Sequence, residues 1–116
     1  MTEHEASLRE SLISTLEFLA SEQMQREFAE KVFYRSYQDE FACWWFDTFF
    51  PEDQSTTHMF NEHQIAELKQ FSSIFDANLC TINDEYMPIE QLLANPQWKE
   101  VVESAQKAIA SIQNAT

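Results

Sequence analysis

The chain has 116 residues, of which 44% are hydrophobic, and this length and composition fit one globular domain around one core. It contains no glycine, which argues against a strand-rich fold with tight hairpins and excludes the glycine-rich phosphate-binding loops of nucleotide enzymes. A net charge of −13 disfavours direct binding to nucleic acid or to anionic membranes and favours a basic protein as partner.

The first half of the sequence has the pattern of three amphipathic helices. Thr2 and Glu5 form a capping box before a helix over residues 3–20, which carries leucines at positions 8, 12, 16 and 19 on one stripe. Ser21 is expected to cap a second helix that runs to about residue 34, with the apolar stripe Met24, Phe28, Val32 and Phe33. A third helix is predicted for residues 38–50, with acidic residues near its N-terminus.

The second half begins with a helix stop. Pro51 ends the third helix, and residues 51–59 are predicted to form a loop. Asn61 and Gln64 make a second capping box, which starts a fourth helix with the stripe Ile65, Leu68, Phe71 or Ser72, and Phe75. A short strand is conceivable at residues 79–82, and a brief helix is predicted for residues 89–94.

The last helix has the clearest signals. Asn95 is its expected cap, and Pro96 takes the first helical position. Apolar residues recur at intervals of three or four residues, namely Trp98, Val101, Ala105, Ala108 and Ile112. The sequence therefore predicts an all-α, bundle-like, compact single domain over residues 1–116, built from five or six helices.

The termini, the apolar runs and the cysteines predict a cytoplasmic protein. The N-terminus is polar and acidic, unlike a signal peptide, and the apolar runs are far shorter than the roughly 20 residues that cross a bilayer. Cys43 and Cys80 lack a C-x-x-C spacing, so free, buried thiols are expected.

No motif predicts catalysis, a metal or a cofactor. The three histidines and two cysteines are too scattered for a zinc site. Cys43 is flanked by apolar residues, which predicts an inert, buried thiol. A small enzyme that uses Cys43 and His63 is the least favoured of three interpretations, and the chain is expected not to be an enzyme.

Acidic residues concentrate in the central segment. Between Ser36 and Trp98 there are 11 acidic residues and one basic residue, Lys69. The same segment contains FACWWFDTFF at 41–50, whose apolar arc exceeds half of a helical wheel. The favoured interpretation is a central helix of the domain, and the alternative is that one edge of the arc faces a partner. Phe41, Trp44 and part of Phe49 are expected to form the core stripe, and Trp45, Phe46 and Phe50 form the edge to which the alternative applies.

Four segments, taken in order, resemble a known family. They are FLASEQMQREF at 18–28, DEFACWWFD at 39–47, FNEHQIAELKQF at 60–71 and NPQWKEVVESAQKAI at 95–109. Their order is similar to that in helical immunity proteins of bacterial contact-dependent growth inhibition systems. The resemblance implies a cytoplasmic protein that binds the toxic C-terminal domain of a delivered effector, often a basic nuclease, and blocks it.

Residue chemistry and resemblance together predict an immunity protein that neutralises a basic toxin domain in a one-to-one complex. Its expected charged contacts are Asp39, Glu40, Asp47, Glu52 and Asp53, with Tyr37 and Trp45 as aromatic anchors and a second patch at Asp84, Glu85 and Tyr86. The alternative is a helical adaptor that binds a helix or peptide in an aromatic groove formed by Trp44, Trp45 or Phe49.

Overall fold

The computed structural model describes residues 1–82 and 86–113, and in these ranges the chain forms seven α-helices. They are α1 (Glu3–Leu19), α2 (Glu22–Lys31), α3 (Tyr37–Phe46), α4 (Gln54–Met59), α5 (Glu62–Leu79), α6 (Ile89–Ala94) and α7 (Pro96–Gln113). The all-α prediction is confirmed, whereas the predicted number of five or six helices is wrong. The described residues contain no strand, at residues 79–82 or elsewhere, but only an isolated bridge between Ser36 and Met87.

Local capping fixes the starts of the long helices where the sequence placed them. In α1 the Thr2 hydroxyl accepts from the backbone N–H of Glu5, and the Glu5 carboxylate accepts from that of Thr2. Asn61 and Gln64 make the same reciprocal pair at α5. The Asn95 side chain accepts from the backbone N–H groups of Gln97 and Trp98, the second and third residues of α7. Because these bonds join residues at most three apart, the short sequence pattern is enough to specify them.

Helix α4 occupies part of the segment predicted to be a loop. Asp53 caps it by accepting from the backbone N–H of Ser55 at 3.3 Å, and the buried Thr56 hydroxyl donates to the carbonyl of Phe50 at 2.7 Å. Met59 is the single buried apolar residue within this helix. Its polar sequence therefore has no apolar period, and tertiary packing forms the helix.

The core lies where α1, α3 and α6 surround the paired helices α5 and α7. This pair makes the most extensive helix–helix contact of the fold. The predicted buried stripes of α1, α5 and α7 are confirmed, with Leu8 and Ile65 half-buried at their edges and Phe71, rather than Ser72, in the core. At the centre the Trp98 ring contacts the rings of Phe41 and Phe75, with centroids 6.1 Å and 5.6 Å away.

The predicted apolar stripe of α2 is only partly in the core, because Phe28 packs against it while Met24 and Phe33 do not. Met24 is 44% exposed and Phe33 is 70% exposed, whereas Gln25 is completely buried. The Gln25 amide donates to the carbonyls of Phe18 and Leu19, and its oxygen accepts from the indole N–H of Trp98 at 2.9 Å. These bonds satisfy the buried amide. Helix α2 ends at Lys31, so Phe33 falls outside the expected stripe.

Candidate protein-binding surface

Helix α3 is the most aromatic helix, and one side of it faces the core. Phe41 and Trp45 are completely buried, and Phe49, three residues beyond the end of the helix, is nearly so. The Trp45 indole donates to the Ser72 hydroxyl of α5 at 2.8 Å and stacks on Phe49 at 5.0 Å. Since Ser72 satisfies the indole N–H, the whole ring is buried without losing a hydrogen bond. Trp44, which was predicted to be core, is half-buried.

The opposite side of α3 carries carboxylates. Asp39, Cys43 and Asp47 follow one another at intervals of four and are exposed, and the half-buried Glu40 lies beside them. We call these four residues the α3 acidic face. Desolvation of the thiol, with the charges of Asp47, Glu40 and Asp39, raises the pKa of Cys43. Cys43 and Cys80 are free, as predicted, but they are exposed, so their predicted burial is wrong. The raised pKa makes the Cys43 thiol a weak nucleophile.

No described basic residue forms an ion pair with a carboxylate of the α3 acidic face. The ion pairs within the described part of the chain lie elsewhere: Arg26–Glu90, His58–Glu5, Lys69–Glu52 and Lys99–Glu22. Asp39 and Glu40 lie in the first turn of α3, where the helix dipole favours them. Asp47 is the C-cap, at the negative end of the dipole, where a negative charge costs roughly 0.3–1 kcal/mol. The stability of the fold therefore does not explain why an acid occupies this position.

The turn after α3 extends this surface. Phe50 is 56% exposed, and Glu52 and Asp53 follow it on the surface. Glu52 pairs with Lys69 at 3.3 Å, while Asp53 caps α4. Both carboxylates therefore have a structural partner, unlike those on α3, and Phe50 is the exposed ring closest in sequence to the acidic face.

The two predicted anchors, Tyr37 and Trp45, are not on the surface. Tyr37 is buried at the start of α3, and its hydroxyl donates to the carbonyl of Val32 at 3.1 Å. Trp45 lies in the core, as described above. Both rings are held by contacts within the chain and have almost no surface to offer to a partner.

The predicted second patch lies only partly within the described structure. Asp84 and Glu85 are outside the described residues. Tyr86 is half-exposed, and its ring lies 5.8 Å from the ring of Phe33. The bridge between Ser36 and Met87 brings these two segments together. The sequence prediction extended the second helix to about residue 34 and placed Phe33 on its apolar stripe. Helix α2 ends at Lys31, so Phe33 lies beyond the helix and on the surface.

The described residues contain neither a metal-binding cluster nor a membrane-spanning helix. Among them, no three histidine, cysteine, aspartate or glutamate side chains are placed to hold a metal ion. None of the helices has both the length and the apolar character that a membrane span needs. The expectation that the chain acts without catalytic residues or cofactors stays a prediction.

Comparison of the chain with protein-family models, with curated proteins and with solved structures gave no match. The charges and exposed rings of the surface described above are therefore the basis for a functional proposal.

Proposed function

We propose that this chain is an immunity protein of the contact-dependent growth inhibition type. It acts in the cytoplasm, binds one basic toxin domain of the nuclease class, and covers the surface with which that domain binds nucleic acid. The observation that carries the proposal is the α3 acidic face, whose three carboxylates have no ion-pair partner among the described residues. One of them, Asp47, lies where it lowers the stability of its own helix.

The proposed inhibition is electrostatic and steric. A nuclease binds phosphates with lysine and arginine side chains, and carboxylates arranged along a helix can occupy the same side chains. Charge complementarity raises the association rate, which suits an inhibitor that must capture a toxin soon after entry. Phe50, three residues after Asp47, supplies an exposed aromatic ring of the kind that anchors interfaces, and its burial would lengthen the lifetime of the complex.

The first step of the test asks whether the reading frame immediately upstream of this chain's gene encodes an exoprotein with a basic C-terminal domain. Such a domain, inactivated in its catalytic site, is the ligand, and a reading frame without one would count against the immunity function. Stopped-flow association is measured for the wild-type chain and for the triple variant Asp39→Asn, Glu40→Gln, Asp47→Asn. We expect the association rate to fall by roughly tenfold or more and its salt dependence to weaken.

The matched control removes the same charge from exposed glutamates of α1 and α2, with Glu10→Gln, Glu17→Gln and Glu30→Gln. It is expected to change the association rate much less, because these residues lie outside the proposed interface. Equal effects of the two triple variants would mean that only total charge matters. An unchanged rate in the α3 variant would refute the acidic-face mechanism.

The alternative function, a helical adaptor for a helix or peptide, is supported by a different observation. Trp45 and Phe49 are buried and so are not open to a peptide, whereas Phe33 and Tyr86 form an exposed aromatic pair. If this pair were the functional surface, binding would resist salt and would be lost in Phe33→Ala and Tyr86→Ala. Binding that these variants leave intact and that salt abolishes favours the immunity function.

A further inference from the structure

A groove between α5 and α7 has an apolar floor and a charged rim. It lies beside the buried stripes of both helices, and its lining includes Glu67, Phe71, Ile74, Glu100, Glu103 and Lys107. We call this the α5–α7 groove. Each helix contributes residues at the spacing of three and four that places side chains in one row. Both rows line the groove, and Ile74, in the α5 row, is half-buried.

The size of the groove limits its occupant. Its volume is about 230 Å³, whereas pockets for drug-sized ligands hold about 300–1,000 Å³. The α5–α7 groove therefore fits one long side chain better than a nucleotide or a cofactor.

The charges of the groove select the kind of side chain. Three carboxylates and one ammonium line it, a net charge of −2, and Lys107 forms no ion pair with any described carboxylate. A side chain that matches both the floor and the rim needs an apolar stem and a cationic head. Lysine and arginine have this form, and the planar guanidinium of arginine also pairs with carboxylates through two hydrogen bonds.

We propose that the α5–α7 groove binds an arginine side chain projected by a basic protein partner, with the stem against Ile74 and the guanidinium between Glu100, Glu103 and Glu67. The inference rests on the proposed function only for the source of the arginine, a basic toxin domain. The recognition itself belongs to the groove and is separate from the α3 acidic face.

The probe is N-acetyl-arginine amide, titrated into the isotopically labelled chain and followed by two-dimensional NMR of the backbone amides and the Ile74 methyl groups. N-acetyl-citrulline amide, which has nearly the same shape and no charge, is the control ligand, and N-acetyl-lysine amide compares the two cations. We expect saturable shifts confined to residues 67–74 and 100–107, weaker binding of the lysine compound and still weaker binding of the citrulline compound.

Variants of opposite sign test the assignment. Each exposed ion pair that is lost weakens binding by roughly 1.5- to 5-fold, so Glu100→Gln with Glu103→Gln is expected to weaken arginine binding by roughly 2- to 25-fold. Lys107→Gln removes a competing cation and is expected to strengthen binding by a similar factor per charge, roughly 1.5- to 5-fold. Glu10→Gln with Glu17→Gln is the matched control with the same charge change as the first variant, and it should leave the affinity nearly unchanged.

Three outcomes would overturn the proposal. They are equal binding of the citrulline compound, shifts centred on α3, and groove shifts that grow with the concentration of the chain alone, which would identify a second copy as the occupant. Failure of the proposed function gives a different result, because arginine would then bind the groove although the toxin domain does not bind the chain.

Discussion

The buried hydrogen bond between Gln25 and Trp98 gives the sharpest test of how this fold is held together. Gln25 joins the last turn of α1 to α7 through the bonds described above, and it is completely buried. Gln25→Met keeps a similar volume but leaves the indole N–H and the Leu19 carbonyl without these partners. The Phe18 carbonyl keeps a bond from the backbone N–H of Ser21. At about 1–3 kcal/mol for each of these two unsatisfied groups, we expect a loss of about 2–6 kcal/mol in the free energy of unfolding.

A double-mutant cycle separates this bond from packing. Trp98→Phe alone leaves the Gln25 oxygen without its donor, whereas the double variant removes both partners, which is less costly than removing one. We therefore expect the double variant to be more stable than the sum of the single variants by about 1–2 kcal/mol.

The assay is urea unfolding followed by far-ultraviolet circular dichroism, since Trp98→Phe alters the fluorescence signal. Equal slopes against urea would show that the variants unfold from comparable states. If the two effects add within about 0.5 kcal/mol, the hydrogen bond does not couple the helices and the reasoning fails.

Three further predictions concern single residues. Hydrogen bonds from the Thr2 backbone and His58 lower the pKa of Glu5 to about 2, so its contribution to stability is present above its ordinary pKa of 4.5 and is lost as pH falls towards 2. Urea midpoints between pH 5 and 2 should therefore depend less on pH in Glu5→Gln, and an unchanged dependence would contradict this. Asp47→Asn should raise the free energy of unfolding by about 0.3–1 kcal/mol in urea titrations while slowing association with the basic domain, and a loss of stability would contradict the dipole argument. Ser72→Ala removes the acceptor of a buried indole N–H, so thermal unfolding should show a loss of about 1–3 kcal/mol, and full stability would mean that this bond contributes little.

The parts of the fold that follow from the sequence are those with local signals. The capping boxes at Thr2 and Asn61, and the cap at Asn95, use bonds between residues two or three apart. The stripes of α1, α5 and α7 repeat over about three to four turns, so each helix faces the core in only one way. Helix α4 has neither a capping box nor an apolar period, which is why a loop was predicted there.

The errors in the candidate site have a common cause. Trp44 and Trp45 lie 100° apart on a helix that is apolar over most of its circumference, so its sequence does not say which ring is buried. That choice depends on Ser72, 27 residues later, which provides the acceptor for Trp45. In the same way, Gln25 is buried because Trp98 provides its donor. By contrast, the exposure of Asp39 and Asp47 followed from their charge alone, because an unpaired carboxylate is costly to bury.

The two acidic surfaces have different physical characters, and this bears on what each would do in a complex. The α3 acidic face projects into solvent, where its charges act at a distance and mainly affect the rate of encounter. The α5–α7 groove combines carboxylates with an apolar floor, so a side chain that enters it loses water and gains contact area. Such a contact slows dissociation more than it speeds association. A basic partner that used both surfaces would therefore be captured through α3 and retained through α5 and α7, and variants of the two surfaces would change different rate constants.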